Sequence, residues 1–186
     1  RYLLKPLVCL FDKIIFSKVR DNFGGELKFF IGGGALLDTA LQKFYVGIGI
    51  PMYQGYGLSE ATPVLSSNGP EKYRFGSSGK LVKPLELKIC DSEGKELPLG
   101  EQGEIVLLTN KRKPYGLFKE YYRDEQKTND VYHDDIYHTG DVAWRDEDGY
   151  FWFVGRTDDV IKSSGYRIGP FEVESALMTH PAVVEC

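Results

Sequence analysis

Two glycine-rich breaks, Gly32-Gly33-Gly34 and Gly55-Tyr56-Gly57, each close an apolar stretch, and a helical segment lies between them. This arrangement constrains the fold more than any other feature. Glu26-Leu27-Lys28-Phe29-Phe30-Ile31 reads as a short strand. Asp38 is placed as a helix N-cap, followed by Leu41, Phe44 and Tyr45 at helical spacing, and Gly47 and Gly49 end the helix. Ile50-Pro51-Met52-Tyr53-Gln54 is a second strand. Two strands joined through a helix pair in parallel. Both glycine-rich loops then lie at the carboxyl ends of parallel strands, the edge at which open α/β sheets bind ligands.

From about Phe75 the pattern changes to short strands and turns. Leu85, Leu87 and Ile89 alternate with Glu86, Lys88 and Cys90, and Asp91-Ser92-Glu93-Gly94 forms a turn. Residues 104–109 make another strand, and residues 142–145 and 150–154 flank a hairpin turn at Asp146-Glu147-Asp148-Gly149. The charged stretch 110–137 reads as loop and short helix. Residues 160–163 and 166–168 are short strands around Ser164-Gly165. Pro170 then suits the first turn of a helix, with Glu172 and Glu174 at its positive end.

Residues 2–19 carry Leu4, Leu7, Val8, Phe11, Ile14 and Ile15 at helical spacing, with Lys5, Lys13, Lys18 and Arg20 beside them. Such a segment lies on a membrane surface or packs with one face in solvent; the second reading is preferred, and peripheral membrane contact stays open. Lys plus Arg number 23 and Asp plus Glu 27, a net charge of −4, which leaves no electrostatic footprint for nucleic acid. No apolar run approaches the roughly 20 residues of a membrane span. Cys9, Cys90 and Cys186 are odd in number, widely spaced and without a CxxC pair, which argues against a disulfide framework or zinc site. A reducing, cytoplasmic setting is expected. The chain opens on Arg1, and Cys186 follows Ala182-Val183-Val184-Glu185, the start of a strand, so a fragment of a longer protein is expected.

Four segments stand out together: Gly32-Gly-Gly-Ala-Leu-Leu37, Gln54-Gly-Tyr-Gly-Leu-Ser-Glu60, Tyr137-His-Thr-Gly-Asp141, and the run from Gly155-Arg-Thr-Asp-Asp through Lys162-Ser-Ser-Gly-Tyr-Arg-Ile-Gly-Pro170. In this order and spacing the chain, from about Gly24 onward, resembles the adenylate-forming superfamily of acyl-CoA synthetases, adenylation domains and luciferases. The expected fold class is accordingly α/β, or α+β taken as a whole. Residues 1–157 would be the C-terminal part of a large AMP-binding domain, with a parallel βαβ part over 1–74 and an antiparallel, barrel-like part over 75–157. Residues 158–186 would be the hinge and the start of a small C-terminal α+β domain.

The chemistry of the residues suits that resemblance. Glycines remove side chains, so a flat base can lie against the backbone. Gly33, Gly34, Ala35 and Leu36 would border adenine, with Gly55, Tyr56 and Gly57 opposite and the Tyr56 ring as an aromatic face. Relatives usually have Pro at the Leu36 position. Taken alone, the three glycines read better as a plain βα turn; beside Gly55-Tyr56-Gly57 the adenine reading is preferred. The Ser59 hydroxyl can reach a phosphate oxygen, and Glu60 can hold Mg²⁺ shared with phosphates; the pair also suits a helix N-cap. Asp141 can accept from both ribose hydroxyls, as acidic residues do at dinucleotide sites, with Arg156 donating to the same sugar; otherwise the two are a surface ion pair. His138 is read as a packing or loop histidine. The resemblance makes Asp158 the hinge, Gly165 the point of close approach for the CoA thiol arm, Arg167 a phosphate contact, and Lys162 a participant in the second step or an exposed strand lysine.

The implied parent is an AMP-forming acyl-CoA synthetase. It would use ATP/AMP, Mg²⁺ and CoA and activate a carboxylic acid, with fatty acid as the reading. Residues 24–66 look most like long-chain synthetases and residues 113–185 more like the medium-chain and acetyl-type group. An adenylation domain that loads a carrier protein, and a non-catalytic nucleotide-binding fragment, are the alternatives. The family's phosphate loop and its C-terminal adenylation lysine have no counterpart in these residues, so the chain alone is expected to be inactive.

Overall fold

In the computed structural model, which describes residues 5–61, 64–110, 113–163 and 166–184, the expected βαβ unit is present. Strand β1 (Phe30–Gly32) pairs in parallel with β2 (Met52–Tyr56), Phe30 opposite Met52 and Gly32 opposite Gln54. Helix α3 (Thr39–Gly47) joins them. Its N-terminus is capped by Asp38, whose Oδ1 accepts from the Leu41 amide at 2.9 Å. Gly49, at φ 85°, turns the chain out of the helix into β2, with Ile48 and Ile50 buried on either side. Ahead of this unit, α1 (Lys5–Phe11), a π-helical turn (Asp12–Phe16) and α2 (Ser17–Asn22) run on continuously. Arg20 ties them down, donating to Asp12 Oδ1 and to the Ile48 carbonyl, both at 2.8 Å.

The sheet does not stop at residue 75. Strand β3 (Ser66–Ser67) pairs antiparallel with β2, and β4 (Gly79–Leu81) with β3. Strands β5 (Leu87–Cys90), β6 (Gly103–Leu108), β8 (Ile136–Arg145) and β9 (Tyr150–Arg156) complete one mixed sheet in the order β1-β2-β3-β4-β9-β8-β6-β5, with β7 (Tyr132–His133) added beside β8. The parallel pair and the antiparallel strands therefore share hydrogen bonds across the expected subdomain border. Helix α4 (Glu125–Val131) lies in the 110–137 stretch, N-capped by Asp124.

The core belongs to the antiparallel strands. Leu65, Leu87, Ile89, Ile105, Leu107, Tyr137 and Phe151 form one buried cluster. Alternation along β5 and β6 puts Leu87, Ile89, Ile105 and Leu107 on one face, and each fully buried aliphatic side chain contributes about 1.5–3 kcal/mol. The β8–β9 turn is built on Asp146, which accepts from the amides of Asp148 and Tyr150 and from the Trp152 indole. Beyond β9, β10 (Ile161–Ser163) and β11 (Tyr166–Ile168) form a separate two-stranded ribbon, followed by α5 (Pro170–Leu177) with Pro170 in its first turn. No helix among the described residues is long and apolar enough to cross a membrane.

Candidate functional site

The loop after β1 meets the second glycine-rich segment, whose Gly55 and Tyr56 are the end of β2 where the sequence reading put a loop, and a side chain not assigned a role from sequence holds them together. Gln54 is 3% exposed. Its Nε2 donates to the Ala35 carbonyl at 2.8 Å and its Oε1 accepts from the Leu37 amide at 3.2 Å. A buried amide must find such partners, and here they fix the course of residues 33–37 relative to β2. Gly55 lies where an added Cβ would press at 3.2 Å on the Ser66 carbonyl and the Val64 side chain, so a larger residue there would push β3 away from β2 by a few tenths of an ångström.

Gly34, Ala35, Leu36, Gly55, Tyr56 and Gly57 line one cavity of about 240 Å³ together with Asp141, Phe153 and Arg156. That is below the roughly 300–1,000 Å³ of a complete small-molecule site. Asp141 comes from β8, directly opposite Arg156 on β9. Tyr56 is more enclosed than an open stacking face: its ring is 8% exposed and lies 5.9 Å from Phe153. Its hydroxyl donates to Asp141 Oδ2 at 2.7 Å. Burial and the adjacent Asp141 charge push the phenol well above its ordinary value, so it stays a donor. Asp141 is 3% exposed, and burial raises its carboxyl pKa against the opposing pulls of Tyr56 and Arg156. Its Oδ1 faces the Arg156 guanidinium at 3.6 Å. Arg156 is half exposed and also donates from Nε to Asp158 Oδ1 at 3.2 Å.

Glu60 opens on a neighbouring cavity of about 310 Å³, which it lines with Tyr121, Lys127, Gly140 and Arg156. Its Oε1 accepts from the Tyr121 hydroxyl at 3.1 Å, and its carbonyl accepts from the Phe118 amide at 2.6 Å. Ser59 is exposed beside it. Arg156 thus borders both cavities. Among the described residues no three His, Cys, Asp or Glu side chains converge as a metal cage. One carboxylate and one hydroxyl are hard oxygen donors of the kind that hold Mg²⁺ jointly with phosphates.

Size alone does not mark the site. A larger cavity, about 730 Å³, lies elsewhere and holds none of the residues given a binding or catalytic role from sequence. Asp91, Glu93 and Asp134 on its wall, added to Glu104 and Asp130 that it shares with the Glu60 cavity, and with no lysine or arginine lining it among the described residues, would repel phosphate. His138 borders it; its Nδ1 lies 3.0 Å from Glu104 Oε2 and its ring stacks on His133 at 4.0 Å. On the β10–β11 ribbon, Lys162 sits opposite Arg167 in register, and their side chains are outside what is described. Gly165 lies outside the described residues. Asp158 is exposed in the link between β9 and β10.

Gln54, Tyr121 and Glu104 were given no role from sequence. Each acts on a site residue through a contact that no local pattern announces. A polar residue in an otherwise buried strand is the one signal that points to Gln54 and Glu104.

Comparison with known proteins adds an independent finding. A family profile described as AMP-binding enzyme matches residues 9–122. Acyl-coenzyme A synthetase ACSM4, mitochondrial, of Homo sapiens is 47% identical over 154 residues, 83% of this chain and 27% of that protein. Acyl-coenzyme A synthetase ACSM3, mitochondrial, of Mus musculus is 46% identical over 161 residues, 86% of this chain and 28% of that protein. The chain therefore spans little more than a quarter of the length of these relatives. The structure of anthranilate CoA ligase AuaEII in complex with anthranoyl-AMP superposes with TM-score 0.75 at 36% identity, over 86% of this chain and 30% of that one. O-succinylbenzoate coenzyme A synthetase (MenE) from Bacillus subtilis, in complex with ATP and magnesium ion, gives TM-score 0.74 at 28% identity, over 91% of this chain and 36% of that one. The profile covers more than half of the chain, and the fold and motif order agree with it: the chain belongs to the AMP-binding enzyme family.

Proposed function

We propose that this chain is the nucleotide-binding and hinge segment of an AMP-forming acyl-CoA synthetase that activates a carboxylic acid of the fatty type. The observation that carries the reading is the gathering of Gly34, Ala35, Leu36, Tyr56, Asp141 and Arg156 around one cavity, which Gly33 adjoins in sequence without lining. The base would lie against the glycine backbone, in contact with the loop that Gln54 holds. Asp141 Oδ1 would accept from the ribose diol while Tyr56 keeps Oδ2 in place, and Arg156 would turn from Asp141 toward the sugar. A cavity of this size holds only part of a nucleotide, in keeping with a segment of a larger protein.

In the parent reaction a carboxylate oxygen attacks the α-phosphorus of ATP, the bond to the β-phosphate breaks, and pyrophosphate leaves. The CoA thiolate then attacks the acyl carbonyl carbon and AMP departs. Both steps rest on positioning and charge compensation. Ser59 would bind a phosphate oxygen, and Glu60, oriented by Tyr121, would hold Mg²⁺. When bound, that ion offsets the negative charge of the phosphates. Residues 158–186 would begin a second domain turning about Asp158, with Gly165, Arg167 and Lys162 on its moving face. The acyl-coenzyme A synthetases ACSM4 and ACSM3 are mitochondrial by name, while the cysteine pattern suits a reducing, cytoplasmic setting, so fractionation decides between cytoplasm and mitochondrion for the parent.

Calorimetric titration of the chain with AMP tests this reading. Saturable binding is expected, weakened about tenfold or more in Asp141→Ala, which loses a charged acceptor. A folded chain that binds no AMP overturns it.

A further inference from the structure

Strands β6 and β8 do not keep step. Glu104 pairs with Val142, yet the next pair is Val106 with His138. Ile105 on β6 therefore faces three residues, Thr139, Gly140 and Asp141, on β8. Such bulges re-aim side chains beside active sites, and this one ends on Asp141. Gly140 takes φ 71°, a conformation that favours glycine.

A bulge strips backbone groups of their ladder partners, and each must be satisfied some other way. Thr139 Oγ1 donates to the Ile105 carbonyl at 2.7 Å and accepts from the Asp141 amide at 3.1 Å. The Gly140 carbonyl accepts from the amide and hydroxyl of Thr157, at 2.7 and 3.1 Å. The Gly140 amide donates to Glu104 Oε1 at 2.9 Å. Glu104 lies mostly buried on a strand whose neighbours Ile105, Val106 and Leu107 are core residues. Among the described residues no lysine or arginine pairs with it; His138 faces its other oxygen. A carboxylate in that position is explained by the amide it accepts from, since charged acceptors form the stronger hydrogen bonds.

We propose that Glu104 is a positioning residue: its carboxylate holds the Gly140 amide, and so sets both the aim of Asp141 and the contact of the bulge with Thr157 at the start of the hinge segment. The proposal rests on the reading of Asp141 as a nucleotide contact. Glu104 itself lines no part of the cavity beside Tyr56.

The test compares Glu104→Gln, which keeps an acceptor for Gly140, with Glu104→Met, which fills similar volume without one. Two readouts are taken on the folded chain: AMP affinity by calorimetry, and the amide resonances of Gly140, Asp141 and Thr157 by NMR. Glu104→Met is expected to weaken AMP about tenfold and to shift all three amides, whereas Glu104→Gln stays within about threefold and leaves them near their original places. Should Glu104→Met fail to fold, Glu104→Asp, whose carboxylate stops one methylene short, takes its place with the same expectations. Equal losses in Glu104→Gln and Glu104→Met overturn the proposal, because keeping an acceptor for the Gly140 amide would then make no difference. Unmoved Asp141 and Thr157 amides in Glu104→Met also overturn it. If the unaltered chain binds no AMP, the functional reading fails, and the amide shifts alone decide the role of Glu104.

Discussion

The segment 5–49 and the antiparallel strands from β3 to β9 are both rich in large apolar side chains, but they place them differently. In the first, Leu7, Leu10, Phe11, Ile14, Phe44 and others stand largely exposed, and Ile31 in β1 is 70% exposed. In the second, Ile105, Leu107, Tyr137 and Phe151 are almost wholly buried. Topology makes the difference. An antiparallel path gives every inward side chain neighbours from adjacent strands, whereas a parallel pair needs cover on both faces. One nine-residue helix cannot supply both. The candidate site lies where the two regions join, taking its loops from the open region and Asp141 and Arg156 from the closed one.

If this contrast is real, truncating the closed core has the largest effect. Leu107→Ala should destabilise the chain by about 2–5 kcal/mol in denaturant unfolding, the usual cost of an aliphatic cavity. A smaller effect separates two aspartates on the same hairpin. Asp146 is held below its ordinary value by hydrogen bonds from the Tyr150 amide and the Trp152 indole and by Arg74, against the contrary pull of burial. Its stabilising contribution is present above the unfolded pKa and lost as pH falls through the lower folded value. Asp141, raised by burial, has the opposite sign: its contribution is full below the unfolded pKa and lost as pH rises through the folded value. Thermal melts at pH 7 should therefore show Asp146→Asn below the parent chain and Asp141→Asn above it, both differences shrinking toward pH 3. The smallest effect belongs to the open region, where Leu10→Ala should change stability by no more than about 0.5 kcal/mol. A loss there matching that of Leu107→Ala would end the comparison.

Much of the fold was legible because its signals are local. Asp38 caps α3 as read, the parallel pairing of β1 with β2 follows from the helix between them, and the Asp146–Gly149 turn lies where the sequence put it. Strands β3 and β4 were not legible. They are two and three residues long, and their hydrogen bonds reach across the sequence, as when Asn68 Nδ2 donates to the Gln54 and Ser77 carbonyls. At the start of β8 the sequence reading puts residues 136–137 in the charged loop stretch and assigns no strand to 138–141, because the bulge at Thr139–Asp141 resets the alternation that marks one. In the site, Tyr56, Glu60, Asp141 and Arg156 stand in recognisable motifs. Gln54, Glu104 and Tyr121 reach Ala35, Gly140 and Glu60 across long stretches of sequence, contacts that no neighbouring residue announces.

The unbroken sheet also bears on how such enzymes exchange parts, in evolution or by engineering. A crossover placed at residue 75, where the sequence changes character, would take β3 from one parent and β4 from the other. The pairs Ser66 with Leu81 and Ser67 with Lys80 would then have to form between sequences that never evolved together. A junction in the exposed link at Asp158 and Asp159 cuts no strand pairing, so recombined descendants should carry their seams there.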